Sequence, residues 1–149
     1  MLFRSVLSPT MGGYVSSARY GNIDLLRDAL IIPESGHVQP IEISLRDDGP
    51  MLNVRLDSSS PNSQGMVLIA ADAAPAQPPK TTVTGGQGLG FFSGLAPGDY
   101  KVFAFDANDP IEYTNPDVLA RYASQATRVS LAPRANTTIT LNVIHPEQQ

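Results

Sequence analysis

The sequence predicts an all-β sandwich with one short helix and additional N-terminal strands, and three observations predict it. Three segments alternate apolar and polar residues at period two, as strands with one buried face do. Met66–Ala71 is a continuous apolar run of strand length, which suits a central strand covered on both faces. Gly- and Pro-rich turns separate these segments, and only one stretch has helical spacing.

In the first alternating segment Ile41, Ile43 and Leu45 interleave with Glu42, Ser44 and Arg46. In the second, Leu52, Val54 and Leu56 interleave with Asn53, Arg55 and Asp57; in the third, Ile139, Leu141 and Val143 interleave with Thr138, Thr140 and Asn142. Asp47-Asp48-Gly49-Pro50, between the first two, reads as a turn whose glycine can take positive φ. Tyr100–Phe105 is rich in aromatic and β-branched residues and follows a Pro97-Gly98-Asp99 turn. Weaker strand signals cover Leu2–Ser8, Tyr14–Tyr20, Leu30–Ile32, Thr81–Thr84 and Val129–Leu131. The helix begins at Asn115, which can cap, with Pro116 at the first position and Asp117 facing the positive end of the dipole. Leu119, Tyr122, Ala123 and Ala126 then share a face, predicting about three turns that plug one end or edge of the sheets. Asp57–Gly65, Ala73–Pro79 and Gly85–Gly90 read as loops.

Composition excludes several function classes. A net charge of −4 with a pI near 4.9 argues against nucleic-acid binding, which needs a basic patch. The absence of cysteine removes disulfide and thiol chemistry, and two histidines cannot build a zinc site unaided. No apolar run approaches the ~18 residues of a membrane span. The N-terminus MLFRSVLSPTMGGY lacks the pattern of a secretory signal, since Arg4, Ser5 and Pro9 interrupt its apolar stretch. That leaves three readings: a cytosolic protein, a signal upstream in a longer precursor, or a trimmed chain. Low lysine, no cysteine and abundant Ser, Thr, Pro and Gly favour an extracellular or envelope protein.

The most specific string is Ser93–Asp106, SGLAPGDYKVFAFD. Its Leu-x-Pro-Gly-x-Tyr-x-Val pattern resembles the carboxypeptidase regulatory-like domains, the prealbumin-like or Cna-B-like sandwiches of bacterial surface proteins. YVSSARYGNIDLL (14–26), PIEISL (40–45), YTNPDVLARYASQATRVSL and TTITLNVI resemble segments of large acidobacterial envelope proteins. The resemblance implies an immunoglobulin/prealbumin-like sandwich over residues 49–149, preceded by an N-terminal strand segment, 1–48. It further implies that 1–48 holds the later strands of a sandwich whose beginning is absent. Two arrangements stay open: another copy completes that partial sandwich, or residues 1–48 fold back onto the complete one. The chain departs from the family pattern at Thr84–Phe91. Gly88 can serve as the turn glycine, but Gly85 and Gly90 stand where an Asp and an aromatic are usual, which implies a looser hairpin.

No motif is catalytic. His37 and His145 lie in loop or terminal sequence and read as exposed surface residues; a hydrolase would depend on one of them. Gly90-Phe91-Phe92-Ser93-Gly94 has the wrong spacing for a nucleophile elbow, and Gly85–Gly90 reads as a hairpin loop, not a phosphate cradle. Asp106, Asn108 and Asp109 are weak calcium candidates, with Pro110 breaking any EF-hand pattern. Some relatives in the resembled family carry a Lys–Asn isopeptide bond, for which Lys101, Asn142 and Glu42 are the conceivable set here. The aromatic residues read chiefly as core. No cofactor is expected. The expected function is a non-catalytic extracellular structural module of a bacterial envelope. It self-assembles into a fibre or surface appendage through strand pairing by Leu2, Phe3, Val6, Leu7, Tyr14, Val15 and Tyr20. Its partners are other copies of itself or neighbouring domains of a surface protein. The alternative is a glycan- or peptide-binding accessory module using the loops at 85–90 and 106–113.

Overall fold

Which face each side chain takes decides which strands can be sandwiched. In the computed structural model, residues 2–3, 13–32, 38–57, 64–75, 77–109 and 111–146 are described. The strands are β1 (Leu2–Phe3), β2 (Tyr14–Tyr20), β3 (Ile23–Asp24), β4 (Leu30–Ile31), β5 (Ile41–Arg46) and β6 (Met51–Leu56). They continue with β7 (Gly65–Ala71), β8 (Lys80–Val83), β9 (Leu89–Phe92) and β10 (Gly98–Asp106), then helix α1 (Pro116–Arg121), β11 (Thr127–Leu131) and β12 (Asn136–Leu141). The fold is an all-β sandwich with one short helix and additional N-terminal strands. One sheet runs β11-β10-β7-β8, and the facing sheet runs β12-β6-β9. The first and last strands of this unit, β6 and β12, pair in parallel, with Val54 opposite Ile139.

The alternation in β6 puts Leu52, Val54 and Leu56 inward, where they meet Val67, Ile69, Tyr100, Val102, Leu131 and Leu141 in one buried cluster. The opposite faces of β7 and β10 carry Leu68, Phe103 and Phe105, which α1 and its flanks cover through Leu119, Ile144 and Tyr122. Phe105 and Tyr122 meet edge to face at 5.3 Å. The helix therefore lies over the outer face of the four-stranded sheet and not at its end or edge. Asn115 caps it, accepting from the Asp117 amide at 3.0 Å, but it closes at Arg121. A turn takes over from residue 122, and Ala123 is exposed.

Two turns refine the expectations. Gly98 adopts φ +146°, which a side chain would resist. The backbone there swings Tyr100 inward, and its hydroxyl donates to the Ala96 carbonyl at 2.6 Å, the arrangement of a tyrosine corner. The 85–88 hairpin turn is closed, not loose: the Gly88 amide donates to Gly85 O, and the Gly85 amide to Leu89 O, both at 2.9 Å. A Cβ at Gly90 would already approach Val54, Thr82 and Thr84 at 3.2–3.4 Å, which leaves little room there for a larger side chain. Asp47–Pro50 does not close a hairpin between β5 and β6. It passes the chain from one sheet to another, and Gly49 does not take positive φ.

Two substitutions test this packing. A Cβ at Gly65 would lie 2.8 Å from Leu56 Cδ1 and 2.9 Å from the Phe105 carbonyl oxygen, and that backbone cannot give way. Gly65→Ala is therefore expected to destabilise by about 1–3 kcal/mol in urea unfolding. Tyr100→Phe removes the corner hydrogen bond and is expected to cost about 1 kcal/mol. Burial pushes the Tyr100 phenol up to about 12. The folded value is raised, so its contribution is complete below the unfolded value of about 10 and is lost as pH rises toward the folded one. The variant should lack that alkaline dependence.

Candidate functional site

A third sheet, β3-β2-β5, is built from the N-terminal residues. In β2 the sequence YVSSARY does not alternate, because Ser16 is an extra residue: the register shifts between Val15 and Ser17. This bulge lets Val15 and Ala18, three residues apart, share a face, since Val15 opposes Leu45, Ala18 opposes Ile43 and Tyr20 opposes Ile41. The result is an apolar face that is closed on the β2 side, where Ala18 is 2% exposed, and bare on the β5 side. All six residues of β5 are exposed, with Ile41 at 46%, Ile43 at 43% and Leu45 at 61%. Among the described residues only β2 pairs with β5, leaving its other edge open.

One polar cluster ties this sheet to the sandwich. Asp48 accepts from Arg46 Nε at 3.0 Å and Nη2 at 2.6 Å, and from the Tyr14 hydroxyl at 3.0 Å. Its own carbonyl accepts from the Arg134 amide at 2.9 Å. The Arg46 hydrogen bonds hold the Asp48 carboxyl below the usual carboxylate range, while burial, aided by Asp48, holds the Tyr14 phenol above its ordinary value. Beside the cluster lies a cleft of about 390 Å³ lined by Tyr14, Leu26, Arg46, Lys80, Pro97 and Tyr100, among others. Lys80 donates to the Gly94 carbonyl at 2.6 Å, and desolvation lowers its ammonium pKa.

The residues singled out in the sequence fall in different places. Leu2 and Phe3 form β1, which pairs with β4; Val6 and Leu7 lie outside the described residues. Tyr14, Val15 and Tyr20 lie in β2, the central strand of its sheet, flanked by β3 and β5. Tyr20 is paired on both sides, with Ile23 and Ile41, whereas Tyr14 and Val15 pair with β5 alone; the outer edge of β5 is also without a partner among the described residues. Asp106 and Asn108 are explained locally: Asp106 Oδ1 accepts from the Asn108 amide at 2.9 Å and from its Nδ2 at 3.0 Å. Asp109 Oδ2 is occluded without a hydrogen-bond partner. Among the described residues no group of three His, Cys, Asp or Glu gathers to hold a metal. His145 is exposed, and His37 lies outside the described residues. Lys101 pairs with Asp72 at 3.2 Å. No helix among the described residues is long and apolar enough to cross a membrane. The open β5 edge and the Asp48 link were not singled out from the sequence, although the Ile41–Arg46 alternation marked the strand itself.

No protein-family model matches the chain, and no curated protein matches it. A solved structure, the Bacillus anthracis TIE protein, is similar over 77% of this chain at 13% identity and a TM-score of 0.42. The chain spans 22% of that structure's length.

The Asp48 link should respond to acid. Its folded-state pKa is depressed, so its contribution is complete above the unfolded value of about 3.9 and is lost as pH falls through the lower folded value. Acidification from about pH 5 to pH 2 should shift the Tyr14 ring and β2–β5 amide resonances. Asp48→Asn should remove that step while leaving the sandwich core resonances in place.

Proposed function

We propose that this chain is a non-catalytic structural module of a bacterial cell envelope that self-assembles by pairing strands between copies. The observation that carries the reading is β5: six residues, exposed on both faces, with Ile41, Ile43 and Leu45 in water and an open edge. Exposed apolar edges are strand-pairing templates that soluble proteins ordinarily blunt or cover. In this reading the β6–β12 sandwich is one unit, and the β3-β2-β5 sheet is the unit whose bare edge another copy takes up. Fibre or appendage formation is the sharper form of this reading. Low lysine, the absence of cysteine and the resemblance to regulatory-like domains support an extracellular setting.

A second reading, a glycan- or peptide-binding accessory module, is favoured by the 390 Å³ cleft, whose volume falls within the range of about 300–1,000 Å³ for small-ligand sites. It requires no association.

Sedimentation analysis with negative-stain microscopy separates the two. The assembly reading expects species that grow with concentration beyond 15.9 kDa. Ile43→Lys, which places a charge in the β5 apolar row, should return the chain to a folded monomer whose thermal midpoint no longer rises with concentration. A wild-type chain that stays monomeric at every concentration would sink this reading and favour the binding module.

A further inference from the structure

We infer that two copies of this chain join β5 to β5 in an antiparallel twofold pair centred on Ser44, forming one continuous six-stranded sheet. This rests on the assembly reading and specifies its first contact. The register follows from three constraints.

First, a twofold axis normal to the sheet keeps every side chain on its own face. Directly opposed residues must also share a face, so the centre falls on a residue and not between two. Second, the centre must leave enough of Ile41–Arg46 overlapped to build a ladder, which limits it to Glu42, Ile43, Ser44 or Leu45. Third, the charges discriminate among these. A centre at Glu42 sets the two Glu42 carboxylates against each other, and like charges directly opposed are destabilising. A centre at Ile43 sets Glu42 against Ser44 and Arg46 against Pro40, which has no amide hydrogen to give the ladder. A centre at Leu45 sets Ser44 against Arg46 and Glu42 against Asp48, a second carboxylate, whereas the Ser44 centre's cost is Ile41 against Asp47, one residue past the strand.

Only the Ser44 centre places Glu42 opposite Arg46 of the second copy, and does so twice. The same register sets Ile43 opposite Leu45 of the second copy, again twice, so the apolar row continues across the junction. Arg46 spends Nε and Nη2 on Asp48 and retains its remaining guanidinium donors for the incoming carboxylate. Glu42 is exposed and takes part in no ion pair among the described residues.

The absence of cysteine makes a direct test possible. In this register the two Ser44 Cα atoms lie about 4.5–5.5 Å apart, within disulfide reach, while the two Ile43 Cα atoms are two positions out of step. The full chain carrying Ser44→Cys is expected to form a disulfide-linked dimer under mild oxidation, and Ile43→Cys is not. Glu42→Gln, which removes the carboxylate from both cross-copy pairs and leaves the Arg46–Asp48 link intact, should weaken the dimer by about tenfold. If wild type associates but Ile43→Cys cross-links as well as Ser44→Cys, or Glu42→Gln leaves the dimer as tight as wild type, the register is overturned and assembly stands. If wild type remains monomeric and neither cysteine cross-links, the assembly reading falls with it.

Discussion

The antiparallel pair β7–β10 is apolar on both faces, and most of the chain's remaining architecture answers that demand. Val67, Ile69, Tyr100 and Val102 need one cover, supplied by β6, β9 and β12; Leu68, Phe103 and Phe105 need another, supplied by α1 and the flanking Ile144. A strand pair with two apolar faces is stable only as a middle layer. This explains why the helix lies across a sheet face. It also explains why the chain returns after α1 to lay β12 in parallel beside β6, closing the second sheet over the first cluster.

The N-terminal sheet is subject to the same rule and does not meet it on its β5 side. Val15, Ala18, Tyr20, Ile41, Ile43 and Leu45 make one apolar face, but cover reaches only the β2 side. What holds this sheet in place is polar: the Arg46–Asp48–Tyr14 cluster and the Asp48 carbonyl bonded to Arg134. A short polar hinge can orient a sheet without burying it, whereas the sandwich is held by a buried core. The contrast between the two units is one of burial rather than of hydrogen bonding, and the outer edge of β5 is without a partner among the described residues.

Much of this was legible in the sequence because period two reports burial directly. Leu52, Val54 and Leu56 go inward as their spacing says, and the unbroken run at Met66–Ala71 marks the two-faced strand. Pro97-Gly98 and Tyr100 announce the corner that the Ala96 carbonyl completes. The candidate surface was harder to read. Ile41, Ile43 and Leu45 alternate as cleanly as the β6 residues, and alternation cannot distinguish a covered face from a bare one; only the pairing partners do. The Ser16 bulge hides the apolar face of β2, because one extra residue breaks the period while preserving the face. Asp48 looks like a turn residue in sequence, and its side-chain partner Tyr14 is 34 positions away. The Ile23–Asp24 and Leu89–Phe92 strands are two and four residues long, too short for periodicity to register.

A twofold contact at β5 has a consequence for the fibre form of the proposal. One isologous interface closes on itself and stops at two copies. Extension requires a second contact, different from the first, and two distinct twofolds on one chain generate an open array unless their axes close into a dihedral group. The first contact does not supply it: a twofold normal to the sheet leaves both copies' Ile41, Ile43 and Leu45 on the same side, giving the pair one apolar and one polar face. Outside β5, Leu89 at 52% and Phe91 at 62% exposure stand on the outer face of β9, the uncharged end strand of the sheet that covers the core. Face-to-face burial of Leu89 and Phe91 would supply such a second contact, and it is physically distinct from the ladder pairing proposed at β5.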